Sequence, residues 1–329
     1  MALLFMDGFN HYATGNILSK YTNSNAAIGA VGRNGNGMAF YGEDYSTTKG
    51  LSGAYPTIFI GFAIKISALQ AWNNNSLLSF YEGVTKHIDM RMQEGDTGRL
   101  TITRNGTILG TTTDQILFVN EFAHIQIKIY IHDSAGTVDM LVNGVSVLSL
   151  TNQDTRNGGA AGIIDKIIFG GPKNTNMYIS DLWIDDSEFL GDCKVETLFP
   201  SAAGDTTAWT PSAGDNYAAV DEAAPDSDTT YVSSLTADQV DSYTMGDLVT
   251  TAGVVKGVQV LAYARKDDAG SRNIAIVARP AATDRVGSTQ VLGDSYTYLT
   301  QLWELNPEDS EAWEIADING AKFGVKMVS

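Results

Sequence analysis

The chain has 329 residues and a formal net charge of −17, from 21 lysines and arginines against 38 aspartates and glutamates. So acidic a chain is a poor partner for nucleic acid, which needs clustered basic side chains, and its surface repels anionic lipid. Cys193 is its single cysteine, which excludes an intrachain disulfide framework. The length fits about two domains.

The first residues, MALLFMDGFNHY, contain a short apolar run without basic residues, and Asp7 interrupts it. A secretory signal needs a longer apolar region, and a membrane span needs about 18 apolar residues. We therefore expect a protein made in the cytoplasm of its host, without a signal peptide and without contact with a membrane.

The next segments follow the two-residue period of β-strands. In TIFIGFAIKI (57–66) isoleucines and Phe62 occupy one face and Phe59 and Ala63 the other, which predicts a strand buried on both sides. In HIQIKIYI (124–131) isoleucines alternate with polar residues, which predicts a strand with one solvated face.

Two tight turns join further strand pairs. Asn105-Gly106 and Asn143-Gly144 tolerate the positive φ angles of a two-residue hairpin. The second hairpin precedes IIDKIIFGGPKNTNMYISDLWIDD (163–186), which has the order of a final jelly-roll sheet. About ten or more strands before residue 190, without a convincing helix, predict a concanavalin A-like (laminin-G-like) jelly-roll sandwich over residues 1–190.

The composition changes after this domain. Residues 1–190 carry 12 basic and 17 acidic side chains, whereas residues 191–329 carry 9 and 21. Residues 191–232 are rich in Ser, Thr, Ala, Asp and Gly and predict an extended connector. Residues 233–329 predict a second, smaller β-sandwich with one or two short helices, one after Asn306-Pro307 and one within 235–248.

The segment from Tyr178 to Tyr231 resembles proteins of tailed bacteriophages and prophages. The resemblance lies in ISDLWIDD, in FLGDCKVETLFP and in GDTTAWTPSAGDNYAAVDE, and the closing NPEDSEAWEIADINGAKFGVKMV resembles the end of the same family. It implies a virion structural protein with a laminin-G-like domain and brings no shared catalytic motif. The aromatic residues of the connector, Phe199, Trp209 and Tyr217, are then candidates for an interface with other virion proteins.

Sequence motifs for catalysis are weak. Jelly-roll glucanases carry Glu-x-Asp-x-x-Glu on one strand, where two carboxylates do the chemistry, and this string does not occur here. The weak candidates for a metal are Asp181, Asp185 and Asp186, whose carboxylates suit calcium at a sandwich rim. We therefore expect no cofactor other than, weakly, calcium, and no enzyme activity.

A sugar site would need an exposed aromatic ring beside polar loop residues. Trp72, followed by Asn73 and Asn74, is the candidate for contact with a glycan. The competing interpretation is a rim tryptophan packed under its own loop, since tryptophan is usually well buried.

These observations predict a non-enzymatic structural protein of a tailed phage particle, located in the virion as capsid decoration or in the tail or fibre. It would contact other virion proteins and form a homo-oligomer, because virion parts repeat by symmetry. The alternative is a glycan-binding, lectin-like module for host surface polysaccharide. A polysaccharide hydrolase is the third hypothesis, and the missing acid triplet weighs against it.

Overall fold

The computed structural model describes residues 3–12, 16–69, 75–93, 95, 97–158 and 161–329. The chain is all-β and divides into two compact units. Unit 1 comprises Met1–Asn10 and Thr14–Val195, and unit 2 comprises His11–Ala13 and Glu196–Ser329. Among the described residues, no helix is long and apolar enough to cross a membrane.

Unit 1 is the predicted jelly-roll sandwich of two antiparallel sheets, with a short 3-10 turn at Asn16–Ser19. Its strands, in chain order, are β1 Leu3–Asp7, β2 Asn23–Ser24, β3 Ala27–Gly32, β4 Gly35–Phe40, β5 Ser46–Tyr55, β6 Thr57–Ile66, β7 Leu78–Glu82, β8 Thr85–Met92, β9 Leu100–Arg104, β10 Thr107–Thr111, β11 Ala123–Tyr130, β12 Gly136–Val142, β13 Val145–Gln153, β14 Ile164–Gly170 and β15 Met177–Asp185.

The eight-stranded sheet, called sheet A, has the order β13-β12-β11-β6-β15-β4-β3, and β1 also pairs with β15. The seven-stranded sheet, called sheet B, has the order β10-β9-β8-β7-β14-β5-β2. The core lies between them, where Phe62 of β6 meets Phe169 of β14 edge to face at 5.3 Å between ring centroids. Nearly every residue of β6 is buried, so the prediction of a strand covered on both sides is confirmed.

The two Asn-Gly hairpins are also confirmed. Asn105 and Gly106 have φ angles of 45° and 86°, and Asn143 and Gly144 have φ angles of 49° and 80°. Both residues of each pair therefore occupy the left-handed region that a two-residue hairpin requires. The solvated face expected for β11 is only partly present, because His124 and Gln126 are 1% exposed.

Unit 2 is the smaller sandwich. A five-stranded sheet of order β16-β19-β24-β21-β22 faces the antiparallel pair β20–β23, and a second short pair is β17–β18. Its strands are β16 Pro200–Thr207, β17 Thr210–Pro211, β18 Val232–Ser233, β19 Val240–Met245, β20 Val258–Ala264, β21 Asn273–Arg279, β22 Arg285–Val291, β23 Thr297–Trp303 and β24 Lys322–Met327.

Helical structure in unit 2 differs in place from the sequence expectation. Residues 235–248, predicted as a helix, contain β19, which pairs with β16 and β24 because its buried side chains complete the sheet. The second predicted helix begins at Ile315 and ends at Gly320 (α1), whereas Asn306 accepts a hydrogen bond from the Glu308 amide within a turn. A 3-10 turn spans Tyr217–Ala219.

The segment predicted as a connector, 191–232, is structured along much of its length. Residues 191–195 belong to unit 1, and the remainder belongs to unit 2. Strand β16 pairs with β19 at the edge of the five-stranded sheet, and β17 pairs with β18. Surface loops of such composition gain order when their backbone groups find partners in a neighbouring strand.

Candidate functional site

The outward surface of sheet B carries a cluster of polar and charged side chains. Ile88, Met90 and Met92 of β8 are buried in the core, so alternation turns Asp89 and Arg91 outward. We call the cluster the Asp89 face. It comprises Lys86, Asp89 and Arg91 of β8, Ser79 and Tyr81 of β7, Thr101 and Thr103 of β9, and Lys166 of β14.

A β-bulge brings Lys86 onto this face. In the pairing of β7 with β8, Phe80 lies opposite Ile88 and Tyr81 opposite Lys86, so His87 is an extra residue on β8. His87 is fully buried; its Nδ1 accepts a hydrogen bond from the Asn157 amide at 3.0 Å, and its Nε2 lies 3.2 Å from Glu82. These contacts hold the bulge in place and so fix the direction of Lys86.

Asp89 lies at the centre of the face and is fully buried. Its Oδ2 accepts hydrogen bonds from Arg91 Nη2 at 2.7 Å and from the Ser76 hydroxyl at 2.7 Å. Its Oδ1 accepts a hydrogen bond from the Thr103 hydroxyl at 2.7 Å, and Lys86 Nζ is 3.5 Å away. The carboxylate is therefore saturated by protein donors and acts as an anchor that orients its two cations.

The electrostatic balance keeps Asp89 ionised. Burial raises the pKa of its carboxyl. Hydrogen bonds from Thr103 and Ser76 and the positive charges of Lys86 and Arg91 lower the pKa by more than burial raises it, so the net pKa is below its usual range. Asp89 thus contributes one negative charge at neutral pH, against two positive charges beside it.

Tyr81 and Lys166 extend the face across the sheet. Lys166 pairs in register with Tyr81, and its Nζ lies 5.0 Å from the centroid of the Tyr81 ring and donates to the carbonyl of Gly83. Burial, and then the charge of Asp89, raises the pKa of Tyr81. The tyrosine therefore stays protonated and can donate a hydrogen bond across the physiological pH range.

Of the three acids predicted as calcium candidates, Asp181 lies within β15, Asp185 is its last residue and Asp186 follows it. Asp181 Oδ2 accepts from Arg33 Nε at 3.0 Å, and its Oδ1 accepts from the Val195 amide at 2.9 Å. Asp185 Oδ1 accepts from the Ser187 amide, while Asp186 follows in the next turn. No group of three or more His, Cys, Asp or Glu side chains placed to hold a metal occurs in the described part of the chain.

The remaining predicted site residues are placed as follows. Trp72, Asn73 and Asn74 lie outside the described residues. Trp209 packs against the core of unit 2, and its Nε1 donates to the Gln239 carbonyl at 3.2 Å.

Phe199 and Tyr217 are half-buried, the first next to β16 and the second in its 3-10 turn.

Sequence reasoning missed the Asp89 face altogether. The sequence gives no signal for it, since the bulge at His87 interrupts the two-residue period within TKHIDMRM (85–92).

Comparison with known proteins gives matches among solved structures alone. No family model matches the chain, and no curated protein matches it. An alginate lyase Aly36B mutant in complex with alginate tetrasaccharide is 13% identical, covering 60% of this chain and 98% of its own, with a TM-score of 0.41.

Two further matches have similar identities. The endo-β-1,4-glucuronan lyase of Trichoderma reesei is 11% identical, covering 52% of this chain and 93% of its own, with a TM-score of 0.34. A sialidase of Trypanosoma rangeli is 12% identical, covering 50% of this chain and 27% of its own, with a TM-score of 0.35.

These comparisons correct two predictions. A non-enzymatic structural role in a phage particle was expected, yet the matched structures named above are two polysaccharide lyases and a sialidase, and none of these indicates a virion protein. The prediction of a non-enzymatic structural protein is therefore wrong, and so is the prediction that excluded enzyme activity. The β-sandwich itself is confirmed.

Proposed function

We propose that unit 1 binds carbohydrate on the Asp89 face and that its ligand is an acidic polysaccharide. The observation that carries this proposal is the charge of the face. Of its eight residues three are cationic, Lys86, Arg91 and Lys166, and one is acidic, in a chain whose net charge is −17. A positive area on a negative protein attracts anionic ligands and directs them to one place.

Among the neutral residues of the face, Tyr81 suits sugar hydroxyls, since it is half-buried and supplies a hydroxyl and a ring edge. Ser79, Thr101 and Thr103 are buried, so they support the face rather than contact a ligand. Hydroxyls both donate and accept hydrogen bonds, which matches the mixed donors and acceptors of a sugar. The cations then select a sugar that carries a carboxylate, through the partly exposed ammonium groups of Lys86 and Lys166, while Arg91 is held by Asp89 and adds positive charge behind them.

The arrangement also favours a bound polymer over a compact anion. The three cations come from β8 and β14, on either side of β7, and adjacent strands are about 4.8 Å apart. Charges distributed in this way meet successive residues of an extended chain better than they enclose a single phosphate. Salt weakens such a contact, because it screens charges that are partly exposed.

The experiment is affinity electrophoresis and calorimetry of the full chain with alginate, polygalacturonate and uncharged dextran. We expect retardation by the two uronates and none by dextran, and weaker binding as salt rises. Unsaturated product at 235 nm, followed in the same mixtures, shows whether binding leads to cleavage by elimination. Equal binding of dextran and alginate would refute the proposal.

Variants locate the surface. Lys166→Ala and Lys86→Ala should each weaken uronate binding several-fold, because each removes one of three cations. The control is Lys128→Ala, since Lys128 lies on the outward side of sheet A, is 30% exposed against 32% for Lys86, and pairs with Asp139. A loss of binding in Lys128→Ala equal to that in Lys86→Ala would place the ligand elsewhere.

The source of the polysaccharide is a separate proposal. The resemblance of residues 178–231 to proteins of tailed bacteriophages supports a location on a phage particle, where the Asp89 face would meet acidic polysaccharide of the bacterial surface. If mass spectrometry of purified phage particles did not detect this chain, the proposed location would be refuted and the binding proposal would be unaffected.

A further inference from the structure

The outward surface of sheet A is covered by its own chain. After β15 ends at Asp185, a turn closed by hydrogen bonds from Ser187 to the Asp185 carboxylate sends the chain back over the sheet. We call Ser187–Val195 the strap. None of these residues belongs to a strand or helix, and most of their side chains are exposed or half-exposed.

Aromatic and backbone contacts hold the strap to the sheet. Phe189 packs edge to face on Phe59 of β6, with ring centroids 5.1 Å apart. The Gly191 amide donates to Gln126 Oε1 of β11 at 2.9 Å, and the Val195 amide donates to Asp181 at 2.9 Å.

Arg33, in the turn between β3 and β4, anchors the strap through ion pairs and hydrogen bonds. Its Nε donates to Asp181 Oδ2 at 3.0 Å, its Nη1 to Asp192 Oδ1 at 2.6 Å, and its Nη2 to the Cys193 carbonyl at 2.9 Å. One guanidinium thus joins β15 to two residues of the strap, so the loss of this geometry would free the middle of the strap.

His124 of β11 lies on the same surface, beside Ala63 of β6 in the register. Its side chain is fully buried, and neither ring nitrogen has a hydrogen-bond partner among the described residues. Its Nε2 is 3.8 Å from Asp192 Oδ1 of the strap, beyond hydrogen-bond distance. An imidazole without a partner is tolerated in this position only while it is neutral.

We propose that the strap is a pH-operated cover of sheet A, and that protonation of His124 releases it. An added proton places a charge in a buried site where Arg33 is already positive and the carboxylates of Asp192 and Asp181 are already paired with Arg33. Moving the strap away exposes His124 to water and removes this cost. The uncovered surface includes Trp183, whose buried Nε1 also has no partner among the described residues.

The sign of the effect follows from the pKa of His124. Burial lowers it to about 4, with Arg33 lowering it too, while Asp192 and Asp181 act in the opposite direction. A histidine in the released state titrates near its usual 6.5. The covered state is therefore favoured above pH 6.5 and becomes less stable relative to the released state as the pH falls. Between pH 7 and pH 5 the ratio of covered to released protein falls by about 20-fold.

The interval from pH 7 to pH 5 is the one in which an unperturbed imidazole takes up a proton. Variants at His124 then assign a change in this interval to that side chain.

Cys193 makes the proposal measurable, because it is the single cysteine and lies in the strap. Its Sγ donates to the Leu190 carbonyl at 3.3 Å and is half-buried. The full chain is labelled with 4,4′-dithiodipyridine, which reacts at acid pH, and each rate is divided by that of an unfolded reference at the same pH. We expect the corrected rate to rise at least tenfold from pH 7 to pH 5.

Two variants test the cause. His124→Gln cannot take up a proton, so its corrected rate should stay constant over this interval, whereas the control His132→Gln should keep the wild-type rise. Arg33→Ala should label quickly at both pH values. A rise in His124→Gln equal to that of the wild type would overturn the proposal.

Hydrogen exchange in the wild type gives a measurement independent of the variants. After correction for intrinsic rates, exchange in residues 187–195 should accelerate at pH 5, while exchange in β6 stays slow. Unchanged exchange in the strap would refute the switch even if His124→Gln had loosened the strap at neutral pH.

Discussion

The two outward surfaces of unit 1 handle buried polar groups in opposite ways. On sheet B, the Asp89 carboxylate is fully buried and receives hydrogen bonds from Ser76, Thr103 and Arg91. On sheet A, His124 is equally buried, and both its ring nitrogens lack partners among the described residues. A saturated ion stabilises a fixed surface, whereas an unpaired titratable ring makes its surroundings sensitive to conditions.

The strongest test of this contrast removes the saturated ion. Asp89→Ala should lower the free energy of unfolding by about 3 kcal/mol, because it leaves Arg91 and Lys86 uncompensated and two hydroxyls unpaired. Urea denaturation of the full chain, followed by tryptophan fluorescence, measures the loss.

The matched control is Asp139→Ala on the other sheet. Asp139 is 3.5 Å from Lys128, and both side chains are about 30% exposed. Such a pair contributes under about 1 kcal/mol. If the two variants lost equal stability, the Asp89 cluster would be an ordinary surface ion pair, and the comparison between the sheets would fail.

The next largest effect is steric and lies on sheet A. A Cβ added at Gly61 would come within 2.2 Å of Trp183 Cε2, so the indole must move. We expect Gly61→Ala to cost about 2 kcal/mol in the same denaturation experiment. Gly29→Ala is the control, since a Cβ there meets no atom within 4 Å. No loss of stability in Gly61→Ala would mean that the indole of Trp183 is packed loosely against β6.

The sequence could predict the strands and turns of unit 1 because each depends on local pattern. Alternation in 57–66 and 124–131 and the two Asn-Gly pairs are read directly from neighbouring residues. The strap could not be predicted, since FLGDCKV gains its place from Arg33 and Gln126, which are distant in sequence. His124 and Gln126 of β11 are buried, against the expectation of a solvated face, because the strap lies over them.

The candidate site was beyond sequence reasoning for a similar reason. Asp89 meets Ser76 and Thr103 through the pairing of three strands, and Lys86 joins them only because His87 forms a bulge. The strand at 240–245 was mistaken for a helix, since its burial depends on β16 and β24 rather than on its own period.

A smaller effect concerns the pH dependence of the Asp89 face. The pKa of Asp89 is lowered in the folded protein, so its contribution is present above the unfolded pKa and is lost as the pH falls through the folded one. Asp89→Asn lacks this titration. Its stability relative to the wild type should therefore improve steadily below pH 4, as measured by urea denaturation at successive pH values. A gap that stays constant down to pH 2 would show that Asp89 does not titrate on unfolding.

The smallest effect is expected where a polar group has no partner to lose. His124→Leu removes two unpaired ring nitrogens and leaves a side chain of similar volume, so at pH 7 the free energy of unfolding should change by less than about 1 kcal/mol. At pH 5 the same variant should be more stable than the wild type, which must then protonate or release its strap. Denaturation at both pH values measures the pair of differences. A large loss at pH 7 would mean that the imidazole of His124 has a partner after all, and that the two surfaces of unit 1 are built alike.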